Sequence, residues 1–241
     1  MHSDAYTFRF AAIVTIICSV LLAGAATLLK PRQVENQKLD MRKNILIAVH
    51  IKPEQGRSFS RKQINKLFAK YIREYVVNRE GQTVKGIHPD NLNPEKEKNL
   101  FPLYKKIDNG KVTAYIIPVS GKGLWSTIYG YLALKPDCNT IEGITFYRSG
   151  ETPGLGAEIS KKWFSDNFIG KKILDKEGKL VSITVIKGKV ADKCTPEEAL
   201  HSVDGVSGAT LTGRGVTRFL KSELEKYEPF FKKVRVNQGG A

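Results

Sequence analysis

The sequence predicts an α+β protein: a single N-terminal transmembrane helix followed by one α/β domain with an antiparallel or mixed sheet. The run from Phe10 to Leu29 contains no charged residue, and the middle of the chain is rich in strand-forming residues between Gly, Pro and Asn. An amphipathic helical pattern then begins at Val216. The 241 residues are enough to bury one good core. We therefore expect one membrane anchor and one globular domain.

The N-terminal apolar segment has the length of a membrane span. Residues 10–29 end at Lys30-Pro31-Arg32, and a helix needs about 20 apolar residues to cross the hydrocarbon core. Residues 23–26 resemble the small-residue end of a signal peptide, so cleavage is the competing interpretation. The apolar run is longer than a usual signal core, which favours a retained anchor preceded by a short tail at residues 1–9.

The charges on either side of this segment bear on its orientation. Arg9 is the only strongly basic residue before it, whereas five follow closely: Lys30, Arg32, Lys38, Arg42 and Lys43. Positively charged flanks tend to stay in the cytoplasm. Taken alone, this bias would keep the C-terminal domain in the cytoplasm.

Residues 30–59 are predicted to form a charged juxtamembrane stalk, and residues 60–241 the globular domain. Ser60 opens a segment for which we predict an amphipathic helix. Its apolar stripe consists of Ile64, Leu67, Phe68, Tyr71, Ile72 and Tyr75. Residues 78–99 are polar and contain two prolines, so we expect an excursion over the surface.

The elements of the domain that follow are predicted from residue type and from the turn residues between them. Thr195 followed by Pro196 and two acids is a good helix start. In chain order we expect strands at Val112–Val119, Ile128–Leu134 and Ile141–Tyr147, a helix around Ile159–Phe168, a strand at Leu180–Ile186 and a helix from Pro196.

The stretch from Asp204 to Gly215 combines glycine with hydroxyl-bearing residues and leads directly into the amphipathic C-terminal helix. The apolar face of that helix consists of Val216, Phe219, Leu220, Leu224 and Tyr227. A helix N-terminus offers unpaired N–H groups and a positive dipole end, which favour a phosphate. The alternative is purely structural, with Thr212 as an N-cap after a glycine turn.

Several classes of function find no support. The net charge of +15 is scattered along the chain without a nucleic-acid motif, and it suits anionic lipid or an acidic partner subunit equally well. Neither a P-loop nor a complete dinucleotide fingerprint is present. Ser207 lacks the downstream histidine that a serine hydrolase needs, because the last histidine is His201.

The dispersed histidines and the cysteines give no metal-ligand spacing. We expect neither a metal site nor an acid/base catalytic residue, and Glu151 and Glu158 fit surface or loop-structural roles better. The separation of Cys138 and Cys194 along the chain leaves open whether they form a disulfide.

Three segments carry a family resemblance: Gly123-Leu124-Trp125-Ser126-Thr127-Ile128-Tyr129-Gly130, then Gly150 to Gly156, and Asp204 to Thr210. Together, and behind a single span, they resemble the FMN-binding family that includes the C subunits of sodium-translocating NADH:quinone reductases. The G subunits of Rnf complexes are related members. The resemblance covers nearly the whole chain.

The resemblance implies covalent FMN, joined by a separate flavin transferase through a phosphodiester to Thr210. It also implies a set of flavin contacts: Leu124, Trp125, Ser126, Thr127, Glu151, Thr152, Pro153, Gly154, Leu155, Gly156, Ser207, Gly208, Ala209, Leu211 and Thr212. On this basis the flavin supplies the redox chemistry, and the protein sets its position and potential.

The implied function is an electron-relay subunit of a sodium-pumping NADH:quinone oxidoreductase in the bacterial inner membrane, with other subunits as partners. The resemblance places the domain on the periplasmic side, against the charge bias. Two alternative functions are compatible with the sequence. An Rnf-type G subunit would be distinguished by the proteins that co-purify with it, and a non-redox membrane-anchored binding or assembly protein would purify colourless.

Overall fold

The structure is a computed structural model that describes residues 3–53, 58–92 and 96–239. Contacts between Cα atoms divide the chain into two units, the first ending at Met41 and the second beginning at Arg42. The elements are, in order, α1 (Asp4–Ala48), α2 (Arg61–Tyr71), β1 (Ile72–Asn78), β2 (Thr83–Val84), a 3-10 turn (Pro89–Asn91), β3 (Leu100–Asp108), β4 (Lys111–Lys122), β5 (Thr127–Leu134), β6 (Ile141–Arg148), a 3-10 turn (Gly156–Ser160), α3 (Lys162–Asp166), β7 (Thr184–Val185), α4 (Val190–Lys193), α5 (Pro196–Ala199), β8 (Ser202–Val203) and α6 (Thr210–Gly239).

Helix α1 contains the predicted apolar segment and extends beyond it at both ends. Its most apolar 18-residue window has a mean hydropathy of 2.5 and none of it is buried. By length and composition, this helix could cross a membrane. The charged residues after Leu29 continue the same helix as far as Ala48, with Pro31 inside it.

The domain is built on a six-stranded sheet in the order β2-β1-β3-β4-β5-β6, in which every neighbouring pair is antiparallel. Helix α6 packs across β4. All five residues of its predicted apolar face are buried, because their helical spacing directs them toward the sheet. The predicted α+β class and antiparallel sheet are confirmed.

The second half of the domain also contains a small parallel pair, β7 with β8. In this pair Thr184 is opposite Ser202 and Val185 is opposite Val203. Because β8 directly precedes the segment that begins at Asp204, the pairing places the β7 region beside that segment.

The structure corrects several element predictions. The helix opened by Ser60 ends at Tyr71, so that Ile72 and Tyr75 belong to β1. The predicted strand at Leu180–Ile186 is reduced to the two residues of β7. The helix expected around Ile159–Phe168 is a 3-10 turn followed by the five residues of α3. Strand β3 was not predicted.

The start of α6 requires glycine for close packing. A Cβ atom added at Gly215 would lie 2.5 Å from the carbonyl oxygen of Lys122 and 3.0 Å from Cα of Gly123. Alanine is normally the better helix residue, but here the backbone at the end of β4 occupies its space. The close approach brings the first turns of α6 against the loop between β4 and β5.

Candidate functional site

Three loops meet at the N-terminal end of α6. We call them loop A (residues 123–127, from the end of β4 to the first residue of β5), loop B (residues 149–156, after β6) and loop C (residues 204–209, before α6). Together with the start of β5 and Thr210 at the start of α6, they contain the three segments that carry the family resemblance, and the contacts below join them into one site.

The carboxylate of Glu151 connects loop B to loop A and to α6. Its Oε1 accepts hydrogen bonds from the backbone N–H groups of Trp125 (2.9 Å) and Ser126 (3.1 Å). Its Oε2 accepts one from the N–H of Leu124 (3.3 Å) and one from the hydroxyl of Thr212 (2.6 Å). Glu151 and Thr212 are both buried. A charged acceptor that satisfies four donors makes strong hydrogen bonds, so this side chain has a structural role.

Glycines allow the loops to close around this carboxylate. A Cβ at Gly156 would lie 2.7 Å from Oγ1 of Thr212 and 2.8 Å from Oε2 of Glu151. A Cβ at Gly123 would lie 2.7 Å from Oε1 of Glu151. A second tie between loops A and B is the hydrogen bond from the N–H of Gly150 to Oγ of Ser126 (2.6 Å). Loops A and B are therefore held in one arrangement by contacts that leave no room for larger residues.

Loop C turns sharply to start α6. Gly208 has a φ of +73°, which favours glycine, and a Cβ there would lie 2.7 Å from Cδ2 of Leu155. This close approach brings loop B and loop C together. Thr212 lies inside the first turn of α6 and donates its hydroxyl to Glu151. The alternative in which Thr212 caps the helix is therefore wrong.

Thr210 is the first residue of α6 and is partly exposed. Within the described ranges, no acceptor pairs with the N–H groups of Thr210, Leu211 and Thr212, whereas the N–H of Gly213 reaches the carbonyl of Ala209 (3.0 Å). Unpaired N–H groups and the helix dipole make this end favourable for an anion. The predicted preference for phosphate at this turn thus has a geometric basis.

A cleft of about 430 Å³ opens beside Thr210. Loop C forms one wall together with Thr210, and the segment from β7 to α4 forms the other. That second wall contains Lys187, Lys189 and Lys193, and no carboxylate from the described parts of the chain lines the cleft. Sequence reasoning missed these lysines. They precede Thr210 by many residues, and contacts between segments distant in the chain, including the short β7–β8 pairing, place them beside loop C.

The same end of the domain exposes large apolar side chains. The exposed fractions are 40% for Leu124, 70% for Trp125, 43% for Leu155 and 52% for Leu211. These residues belong to loops A and B and to the first turn of α6, and apolar surface concentrated in this way is typical of a ligand site. A planar apolar ring above these side chains and a phosphate at the α6 end would fit FMN.

The remaining predicted site residues are distributed around this arrangement. Ser207 is exposed and Ala209 is buried, and both line the cleft beside Thr210. Thr152, Pro153 and Gly154 form an exposed turn in loop B. The cleft itself is lined by loop C and not by the predicted residues of loops A and B. Each of these residues remains a predicted flavin contact.

Glu158, the cysteines and the possible metal ligands have other surroundings in the structure. The indole N–H of Trp163 donates a hydrogen bond to Oε2 of Glu158 (3.4 Å). Cys18, Cys138 and Cys194 are free thiols, and burial raises the pKa of Cys138 to about 12. Across the residues the structure describes, no group of three or more His, Cys, Asp or Glu side chains could hold a metal ion.

The loops and the lysine-lined cleft form a site suited to a ligand with a phosphate and an apolar ring, and the comparison with known proteins assigns the domain to an FMN-binding class. Residues 123–225 match the model of the FMN-binding domain family. The C subunit of the Na(+)-translocating NADH-quinone reductase of Pseudomonas aeruginosa is 36% identical, with 97% of each chain covered. The corresponding protein of Neisseria meningitidis serogroup A is 38% identical over 84% of this chain and 83% of its own length. The chain belongs to the family of Na(+)-translocating NADH-quinone reductase C subunits.

Solved structures of this family have the same fold. The crystal structure of the family member from Parabacteroides distasonis superimposes with a TM-score of 0.72 at 33% identity, covering 84% of this chain and 96% of that one. NqrC of Shewanella oneidensis gives a TM-score of 0.70 at 31% identity, covering 83% and 99%. The predicted family resemblance is confirmed.

The pH dependence of stability should contain a contribution from Glu151. Burial acts to raise its pKa, but the hydrogen bonds from Thr212 and from the loop A amides outweigh burial and lower it. A carboxyl whose pKa is lower in the folded state contributes stability that is complete above its unfolded pKa of about 4.3 and is lost as the pH falls toward the folded value. We expect the free energy of unfolding to fall less steeply between about pH 5 and pH 3 in Glu151→Gln than in the wild type. Urea unfolding at stepped pH measures this, and equal slopes would contradict it.

Proposed function

We propose that this chain carries FMN on Thr210 through a phosphodiester bond and serves as an electron-relay subunit of a sodium-pumping NADH:quinone oxidoreductase. The observation that carries the proposal is the position of Thr210. It is the first residue of α6, it lines a cleft containing three lysines, and loops A and B are tied beside it through Glu151.

The attachment is a group transfer without a redox change. The hydroxyl oxygen of Thr210 forms a bond to the phosphorus of FMN and loses its proton. FMN alone has no good leaving group, so the donor must be an FMN phosphoanhydride, whose P–O bond to the leaving nucleotide breaks. Within the described residues, the cleft lining holds no carboxylate or histidine that could remove the proton. We therefore assign that task to a separate flavin transferase.

Once bound, FMN would accept and donate electrons, and the residues of this chain would position it. Leu124, Trp125 and Leu155 offer exposed apolar surface to the ring. Ser207, Gly208 and Ala209 leave the acceptor accessible to the transferase. The Glu151 carboxylate keeps loops A and B in place, so their backbone groups can influence the potential of the flavin.

Helix α1 would anchor the domain as a single-pass protein of the bacterial inner membrane. We place the domain on the periplasmic side, as the family resemblance implies, although the positive residues after the span favour the opposite side. The described residues contain one candidate span, and sodium would therefore cross through the assembled complex rather than through this protein alone.

Mass spectrometry of the full chain, produced with and without an active flavin transferase, tests the covalent attachment. We expect an increase equal to one FMN less one water only when the transferase is present, located on the peptide that contains Thr210. The absence of this increase, with a transferase shown to be active on another acceptor, would overturn the attachment. The electron-relay role is tested by purifying the complex that contains this protein. We expect the complex to be redox-active and to lose part of its flavin signal when Thr210 is replaced.

A further inference from the structure

The wall of the cleft opposite Thr210 is basic. Lys187, Lys189 and Lys193 line it, and loop C with the start of α6 lines the other side. We propose that these three lysines bind the phosphate group that links FMN to Thr210, both while the bond forms and after it has formed. This inference rests on the proposed function, and it assigns the electrostatic part of the site to residues outside the three predicted loops.

Backbone hydrogen bonds hold the lysine segment next to loop C. The N–H of Ile186 donates to the carbonyl of Val203 (3.1 Å), and the N–H of Gly205 donates to the carbonyl of Gly188 (2.9 Å). Oδ1 of Asp204 accepts from the N–H of Val190 (2.8 Å). A side chain at Gly205 would collide with the carbonyl oxygen of Ile186. The lysines therefore project from a backbone whose position relative to the acceptor loop is set.

The lysine amines are available for an anion. All three side chains are exposed, and among the described residues none has a carboxylate within salt-bridge distance. The amine of Lys193 lies over Gly188, about 3.5 Å from where a Cβ would stand. The three lysines therefore line a cleft to which the described chain contributes no carboxylate.

Two of these lysines also border a neighbouring cleft, which contains a glutamate that accepts hydrogen bonds from another residue. Lys187 and Lys193 line this second cleft of about 570 Å³ together with Glu198. The Oε2 atom of Glu198 accepts hydrogen bonds from the N–H (2.9 Å) and hydroxyl (3.0 Å) of Thr195 in the capping box of α5. Among the described residues, this carboxylate forms no ion pair with Lys187 or Lys193.

A phosphodiester retains one negative charge, and the phosphoanhydride donor carries more. Cations near the reacting phosphorus favour the approach of such a donor and stabilise the charge of the linked phosphate. Exposed charges act mainly within a Debye length, about 10 Å at 0.1 M salt and about 3 Å at 1 M. The effect of the lysines should therefore be large at low salt and small at high salt.

The first experiment measures the initial rate of FMN attachment to the full chain in detergent, by intact mass, with a fixed amount of transferase. Substituting Lys187, Lys189 and Lys193 together with glutamine should slow attachment about tenfold at low salt, with the difference shrinking at 1 M salt. The matched control replaces the exposed Lys161, Lys172 and Lys179 with glutamine, for the same loss of net charge away from both clefts. The control should retain the wild-type rate, and substitution of the three cleft lysines with arginine should restore most of it.

The second experiment uses inorganic phosphate on the unmodified full chain. Titration should shift the amide resonances of Thr210, Leu211 and Thr212 in the wild type and in the control variant, but much less in the glutamine variant of the cleft. Equal rates of attachment and equal phosphate shifts in the cleft variant and the control would overturn the inference while leaving covalent attachment intact. Phosphate shifts without any FMN adduct would instead overturn the proposed function and retain the anion site.

Discussion

Replacing Thr210 with alanine is expected to remove all covalently bound flavin from the protein. No other hydroxyl combines the first position of α6 with the lysine-lined cleft in the part of the chain described, so we expect no alternative acceptor. Stability should change little, because alanine is a good helix residue and the described structure gives the Thr210 hydroxyl no hydrogen-bond partner. Intact mass and in-gel flavin fluorescence after production with an active transferase measure the result.

Two variants serve as controls for this prediction. Thr210→Ser keeps a hydroxyl on Cβ and should still acquire FMN. A slower rate would show that the methyl group of threonine helps to orient the hydroxyl. Ser222→Ala removes an exposed hydroxyl from α6 outside the cleft and should leave the adduct in place. Flavin that persists on Thr210→Ala would assign the attachment to a different residue.

Replacing Glu151 with alanine is expected to destabilise the domain by about 2–4 kcal/mol. The substitution leaves the N–H groups of loop A and the buried hydroxyl of Thr212 without their shared acceptor. Partial exposure of loop A lets water replace some of these bonds, which keeps the cost below the sum of four lost bonds. Thermal or urea unfolding of the full chain in detergent gives the change in the free energy of unfolding.

Glu177→Ala is the matched control for this second prediction, since Glu177 is exposed in a turn outside the site. Its effect should stay within about 0.5 kcal/mol. Glu151→Ala should also slow FMN attachment at temperatures where the domain remains folded, because loops A and B are no longer held at the acceptor. A Glu151 variant as stable as the Glu177 variant would show that the loops are held by other contacts.

The sequence predicted the elements whose patterns are local. Strands β4 to β6 lie between clear turn residues, and the apolar face of α6 repeats at helical spacing. Strand β3 was missed because it contains Pro102 and the charged pair Lys105-Lys106, which argue against an interior strand. The apolar stripe assigned to one helix continues into β1, since a few residues cannot distinguish a helical from an extended period.

The part of the site that the sequence predicts is likewise the part whose patterns are local. Thr210 and the glycines of the three loops are recognisable as short motifs, so their residues could be named. The role of Glu151 depends on partners 25 to 27 residues earlier and 61 residues later in the chain. The lysines lie beside loop C through the pairing of β7 with β8, two residues from each strand, and through hydrogen bonds of Gly188 and Val190 to loop C. No sequence spacing encodes such distant contacts.

The proposed anchoring of the flavin at Thr210 would explain why Trp125, Leu124 and Leu155 are exposed. A tethered group is present at an effective concentration in the millimolar range or above, however weakly its own surface binds. The apolar side chains then need only to orient the ring, because the covalent bond already prevents the flavin from dissociating. A shallow, open platform is sufficient under these conditions, and it leaves one face of the flavin accessible to a partner for the exchange of electrons.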